Sequence, residues 1–193
     1  MTRQPARVLE EKDVRRLLAL TQRHRQSERN TVMVLLSFKA GLRACEISGL
    51  TWPMTLNTSG NVSDHLTVSR DIAKYGNGRL LPMHADLRRA LKRYHKTLDR
   101  PVVGPIILSE RRAAMTPRSI VNWFHDCYAN LGLTGCSSHS GRRTFITQSA
   151  RLINKTGGSL RDVQELAGHR ALTTTERYIA GCRDAQRKLI RLL

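Results

Sequence analysis

Two histidines, a run of arginines and one tyrosine fall within the stretch 139–178. It opens H-S-G-R-R-T-F-I-T-Q and closes L-A-G-H-R-A-L-T-T-T-E-R-Y. Arginine and histidine can grip a phosphodiester, a protonated base can hand a proton to a leaving oxygen, and a phenol can attack phosphorus. Arg43 and Lys74, far upstream, complete such a set. Taken singly, each residue has a plainer reading. Arg43 is a solvated arginine after an apolar helix, Lys74 an ordinary turn lysine and His139 a helix cap. Arg142 and Arg143 make a solvated face, and Tyr178 is a core aromatic at a helix end. Only the conjunction is informative.

The rest of the chain must fold to bring these groups together, and its size allows it. At 193 residues with 40% hydrophobic content it suits one compact domain with a proper core. Lys+Arg number 33 against Asp+Glu 15, a net charge of +18 with a pI near 11.1. Such a charge repels itself unless a polyanion neutralises it, which points to nucleic acid, with an anionic membrane surface or a ribosomal location as the plainer alternative. Aromatics are 5%, too few for a single-strand stacking platform. No run approaches the ~18 apolar residues of a membrane span, and the polar N-terminus carries no secretory pattern. Cys45, Cys127, Cys136 and Cys182 lack CxxC spacing and read as reduced cytosolic thiols, with a zinc site on Cys136 and His139 the minor alternative.

Periodicity predicts a mainly α fold with a small antiparallel β-sheet (α+β). Val8–Gln26 carries Val14, Leu17, Leu18 and Thr21 on one face, with Glu10, Glu11 and Asp13 complementing the dipole at its start. Asn30 caps a second helix, T-V-M-V-L-L-S-F-K-A, apolar on nearly every side and therefore central, ended by Gly41. A short helix follows over Leu42–Leu50. His65–Ala73 and Arg79–Met83 read as a hairpin about Y-G-N-G, with Lys74 at the end of its first strand. Ala85–Leu98 is helical, and 105–109 a small buried strand. Thr116-Pro117 starts a helix to about Leu131. Further helices run from His139 to about Asn154, over Leu160–Ala167 stopped by Gly168, over Thr173–Ile179, and over Arg183–Leu193.

Four segments resemble the tyrosine recombinase family, the phage-integrase and Xer-like enzymes. G-L-R-A-C-E-I-S-G-L-T-W at 41–52 resembles its first box. A-K-Y-G-N-G-R-L-L-P-M at 73–83 resembles its hairpin, where a lysine precedes an arginine by five positions. H-S-G-R-R-T-F-I-T matches the H-x-x-R box, and L-A-G-H-R-A-L-T-T-T-E-R-Y-I the closing box, with tyrosine nine residues after histidine. The resemblance covers about residues 8–190 and implies the family's catalytic-domain fold.

It implies a chemistry too. Phosphoryl transfer spreads negative charge over the non-bridging oxygens, which Arg43 and Arg142 would bind, with His169 donating a further hydrogen bond. Tyr178 would be the nucleophile. A phenol has a pKa of about 10, so surrounding arginines must favour its phenolate while His139 takes the proton. Lys74 would protonate the leaving 5′-oxygen, and Glu46 would brace Arg43. The product is a 3′-phosphotyrosine link, resolved by a 5′-hydroxyl of a partner duplex through a Holliday junction. Bond energy is kept throughout, so no cofactor, metal or ATP is implied.

Two positions depart from the family pattern. Arg143 stands where histidine is frequent, and Asn77 where many relatives have another basic residue. The larger departure is that the first box lies close to Met1, so residues 1–193 read as a single catalytic domain without a separate N-terminal core-binding domain. The implied partners are double-stranded DNA, an accessory DNA-binding protein, and copies of the chain. These would form a homotetramer on paired sites, from a monomer or dimer in isolation, with residues 183–193 docking either in cis or on a neighbour. The expected location is cytoplasmic, at the nucleoid, with no membrane partner. Two other functions fit the same residues: a non-catalytic DNA-binding accessory protein of this fold, and a type IB topoisomerase.

Overall fold

The run T-V-M-V-L-L-S-F at 31–38 is apolar around the whole circumference of a helix, so only the middle of a fold can satisfy it. In the computed structural model, which describes residues 4–178 together with 190 and 191, it forms most of α2 (Ser27–Lys39), and every residue from Arg29 to Phe38 is buried. Each such Val, Leu or Phe side chain stabilises the fold by about 1.5–3 kcal/mol. Around α2 pack α1 (Glu11–Gln22), α4 (Ala85–Thr97) and α6 (Ser140–Leu152), while α3 (Ala44–Gly49) lies on α5 (Pro117–Asn130). Two shorter helices, α7 (Leu160–Ala167) and α8 (Leu172–Glu176), pack on each other, and α7 also meets α6. A two-stranded antiparallel sheet pairs β1 (His65–Val68) with β2 (Arg79–Pro82), setting Leu66 opposite Leu81 and Val68 opposite Arg79. The expected class, mainly helical with one small sheet, is what the chain adopts.

Two glycines set the geometry beside the future site. Gly41 follows α2 at φ +64, a left-handed turn suited to a residue without Cβ, and Leu42 N–H then donates to Leu36 O at 3.1 Å. Gly141 lies where α6 crosses α2, and a Cβ there would fall 2.1 Å from Ser37 Oγ. The missing side chain lets the two helices touch, and it fixes the height of Arg142 one residue on.

Several boundaries differ from the sequence reading. The first helix spans only residues 11–22, because Leu9 is buried in extended chain and its N–H donates to Thr144 Oγ1 at 2.9 Å. Asp13 does not merely complement the dipole. It is buried and ion-paired with Arg7 and Arg16. Asn30 is not a cap: α2 begins at Ser27, and Asn30 is buried inside it, accepting from Arg29, which also donates to Leu108 O. The first strand stops at Val68: the chain turns over residues 70–72, where Ala73 N–H donates to Ser69 O at 3.1 Å, and the adjacent Ile72 and Ala73 then both pack on the core, which an alternating strand does not allow. Lys74 therefore sits on a 3₁₀ turn, Lys74–Gly76, rather than at a strand end. Residues 105–108 make only isolated bridges, Thr51 with Pro105 and Leu108 with Ala114, although Ile106 and Ile107 are fully buried. Thr116 caps α5, accepting from Ser119 N–H, and α7 has the expected bounds. The C-terminal helix expected over 183–193 lies outside the described residues apart from Ile190 and Arg191, as do Ile179 and Cys182.

Candidate active site

Glu46 is the first fixed point. At the start of α3 its Oε2 accepts the N–H of Arg43 at 2.8 Å, satisfying a donor the helix cannot use. Its Oε1 accepts from Arg43 Nη1 at 3.1 Å. Arg79, the first residue of β2, completes the arrangement, donating from Nη1 to Oε1 at 2.9 Å and from Nη2 to Oε2 at 3.2 Å. One fully buried carboxylate thus holds two guanidiniums. Burial opposes its charge, but the hydrogen bonds and charge of Arg79, then those of Arg43, outweigh this and hold the carboxyl below its ordinary value. Arg79 also donates from Nε to Leu166 O at 3.0 Å, which ties the hairpin to α7.

Arg142 is the second fixed point. It is 3% exposed and donates to two backbone carbonyls, Gly41 O at 2.8 Å and Ala167 O at 2.5 Å. Both carbonyls lie at helix ends closed by left-handed glycines, Gly41 and Gly168, where a cation is favoured. Burial, then the charge of Arg43, lowers its pKa to about 10, so it stays cationic at neutral pH.

His169 follows Gly168 directly. Its N–H donates to Gln164 O at 3.1 Å and its carbonyl accepts from Gln164 Nε2 at 3.0 Å, so the backbone is held on both sides. The ring places Nδ1 2.9 Å from Thr175 Oγ1. Burial, then Arg142, Arg43 and Arg79, push its pKa down to about 4, leaving a neutral imidazole at physiological pH. Tyr178 comes just after α8 and stacks on His169, with centroids 5.6 Å apart at 23°. The guanidinium of Arg143 lies 5.6 Å from the tyrosine ring centroid, a cation–π arrangement. The tyrosine ring also packs on a small satellite core of Ile146, Val163 and Ala167.

The structure therefore gathers Arg43, Arg142, His169 and Tyr178 into one cluster. His139 stands exposed at the head of α6, three residues before Arg142. Lys74 is not drawn into the cluster; it is exposed on its turn, with Nζ 5.0 Å from the Tyr75 ring centroid. Arg79 belongs to the cluster although the sequence reading used it only as the partner spacing to Lys74. Its alternation with Leu80 in β2 was the available signal. Among the described residues, no three His, Cys, Asp or Glu side chains gather as a metal site, and no helix is long and apolar enough to cross a membrane.

The family model "Phage integrase family" matches residues 7–183, and the chain belongs to that family, the tyrosine recombinases. It is similar to tyrosine recombinase XerC of Rhizobium meliloti (strain 1021), 31% identical over 153 residues, which cover 78% of this chain and 45% of that protein. With XerC of Myxococcus xanthus it shares 29% over 180 residues, covering 89% and 54%. The chain thus spans about half the length of the curated relatives it matches. Among solved structures, the Tn1549 transposon integrase in complex with a circular intermediate DNA superposes with a TM-score of 0.78 at 20% identity, over 98% of this chain and 67% of that one. XerA recombinase gives 0.71 at 21%, over 100% and 66%. Both share this fold.

Proposed function

We propose that this chain carries the catalytic centre of a site-specific DNA recombinase acting on double-stranded DNA through a 3′-phosphotyrosine intermediate. The observation that supports it most is the stacking of Tyr178 on His169, whose pKa three neighbouring arginines help to lower. Tyr178 Oη attacks the scissile phosphorus. The P–O5′ bond breaks, the phosphate becomes an ester of the tyrosine, and the 5′-oxygen leaves as a hydroxyl. Arg43 and Arg142 bind the non-bridging oxygens, and His169 donates to one of them. His139 removes the phenol proton, and Lys74 delivers a proton to the departing 5′-oxygen. A 5′-hydroxyl of a second duplex then attacks the phosphotyrosine and restores Tyr178. Guanidiniums supply the positive charge and the ester conserves the bond energy, so the reaction proceeds without metal or ATP.

The net charge of +18 fits a DNA partner. In this reading four copies assemble on paired sites in the cytoplasm, with or without an accessory DNA-binding protein, and serve integration, excision or inversion. The test is covalent capture. Wild type and Tyr178→Phe are expressed in the native host, protein–DNA adducts are trapped in EDTA, and the attached DNA is sequenced. The expected result is wild-type adducts clustered at a few sites and absent from the variant. Adducts scattered over the genome would favour relaxation of the topoisomerase kind. Adduct formation equal in the two proteins would overturn the assignment of Tyr178.

A further inference from the structure

Thr175 is fully buried, and the hydrogen bond its hydroxyl makes is to a ring nitrogen of His169. Other threonines in or beside helices here behave differently. Thr21, Thr97 and Thr144 turn their hydroxyls back onto the carbonyls of Leu18, Tyr94 and Ser140, at 2.7, 2.8 and 2.7 Å. Thr175 instead directs Oγ1 to Nδ1 at 2.9 Å. A neutral imidazole has one donor and one acceptor nitrogen, and a hydroxyl has one proton to give. Were Nδ1 protonated, it would donate to Oγ1, and the threonine proton would need another acceptor in a place without solvent, at the cost of a buried unsatisfied donor. With Nδ1 as acceptor, both groups are satisfied.

We infer that Thr175 is a positioning residue: its hydroxyl donates to Nδ1 of His169 and fixes the ring as the Nε2–H tautomer, the form that donates to a phosphate oxygen. This deepens the strand-transfer reading and rests on it. The same threonine anchors the nucleophile, since Tyr178 N–H donates to Thr175 O at 3.0 Å. One residue thus sets both the donor face of His169 and the start of the turn bearing Tyr178. The low pKa of His169, about 4, agrees with this, because an imidazole that stays neutral needs its single proton on the useful nitrogen.

The test reads the tautomer directly. Histidine-labelled ¹⁵N protein, as wild type, Thr175→Val and Thr175→Ser, is recorded by long-range ¹H–¹⁵N correlation at pH 7.5 without DNA, and His169→Asn assigns the signal. Wild type and Thr175→Ser should show Nδ1 unprotonated and Nε2 protonated, and Thr175→Val an averaged ring. Single-turnover cleavage on a duplex recovered by covalent capture should slow about 10- to 100-fold in Thr175→Val, less than the 10²–10³-fold for deleting an oxyanion donor. DNA affinity should be unchanged, and Thr175→Ser should restore most of the rate. An Nδ1-protonated ring in wild type would overturn the inference, as would a Thr175→Val protein unchanged in both tautomer and rate. The wild-type spectrum decides alone if Thr175→Val does not fold. Failure of the recombinase reading appears elsewhere, as adducts that survive Tyr178→Phe.

Discussion

Glu46→Gln is the sharpest probe of how the cationic cluster is held. The substitution keeps volume and shape but changes one oxygen into an amide donor. Oε1 accepts from the Nη1 atoms of Arg43 and Arg79, and Oε2 from Arg43 N–H and Arg79 Nη2. Whichever oxygen is replaced, two hydrogen bonds are lost and a donor faces donors. The neutral side chain also leaves Arg43, Arg79 and the nearby Arg142 without their shared counter-charge. Glu46 is fully buried and the guanidiniums beside it are 17% and 7% exposed, so solvent screens little of this. Removing one partner of a buried pair costs about 3–5 kcal/mol. For a chain of this size each kcal/mol moves Tm by roughly 2–4 °C, so a fall of roughly 6–20 °C is expected. Circular dichroism melts in chloride and in sulfate at matched ionic strength measure it. Sulfate should recover part of the loss, because an anion seated among the arginines replaces the missing charge. A Tm within about 2 °C of wild type would refute the reasoning, showing that water rather than Glu46 carries the arginines.

Two further outcomes follow from the same structure. Gly141→Ala forces a methyl to 2.1 Å from Ser37 Oγ and 3.0 Å from Phe38 Cδ2; overpacking of this kind costs about 1–3 kcal/mol, readable as a lower denaturation midpoint with m unchanged. His169 gives the stability a pH dependence of known sign. Its folded pKa, about 4, lies below its ordinary 6.5, so between those values the unfolded chain binds a proton that the folded chain does not. Its contribution is whole above about pH 6.5 and declines as pH falls toward 4. Tm against pH should therefore slope less over that window in His169→Gln than in wild type, and equal slopes would contradict the assignment.

Local signals were legible where chemistry and backbone agree. Thr116-Pro117 is a helix start in sequence and in space, and Gly41 and Gly168 stop their helices as residues free to take positive φ. What stayed hidden depended on partners distant in sequence. His65–Ala73 reads as a strand by alternation, yet the chain turns after Val68 and sets the adjacent Ile72 and Ala73 both against the core. Asn30 reads as a cap, but α2 begins at Ser27, and Asn30 is buried within it and accepts from the neighbouring Arg29. The threonines of T-T-T-E-R-Y are indistinguishable on paper. Only the packing of α8 on α7 shows that Thr175 is the buried one and faces a histidine.

The placement of Arg43, Arg142, His139 and Lys74 suits the different roles proposed for them. Charge that must be complementary to a transition state works best when already oriented, because reorienting it during reaction would consume the stabilisation it offers. Arg43 and Arg142 are held in just this way, one on Glu46 and the other on two carbonyls. The groups proposed to move protons, His139 and Lys74, are instead exposed. Arg79 joins the two sets. It is the foot of the hairpin strand that follows Lys74, it pairs across the ladder with Val68, and it is clamped to Glu46 and Leu166. Both feet of the loop are thereby fixed to the arginine cluster. Any path by which Lys74 reaches a bound phosphate is confined to residues 69–78, and the length of that loop, rather than the position of the sheet, sets its reach.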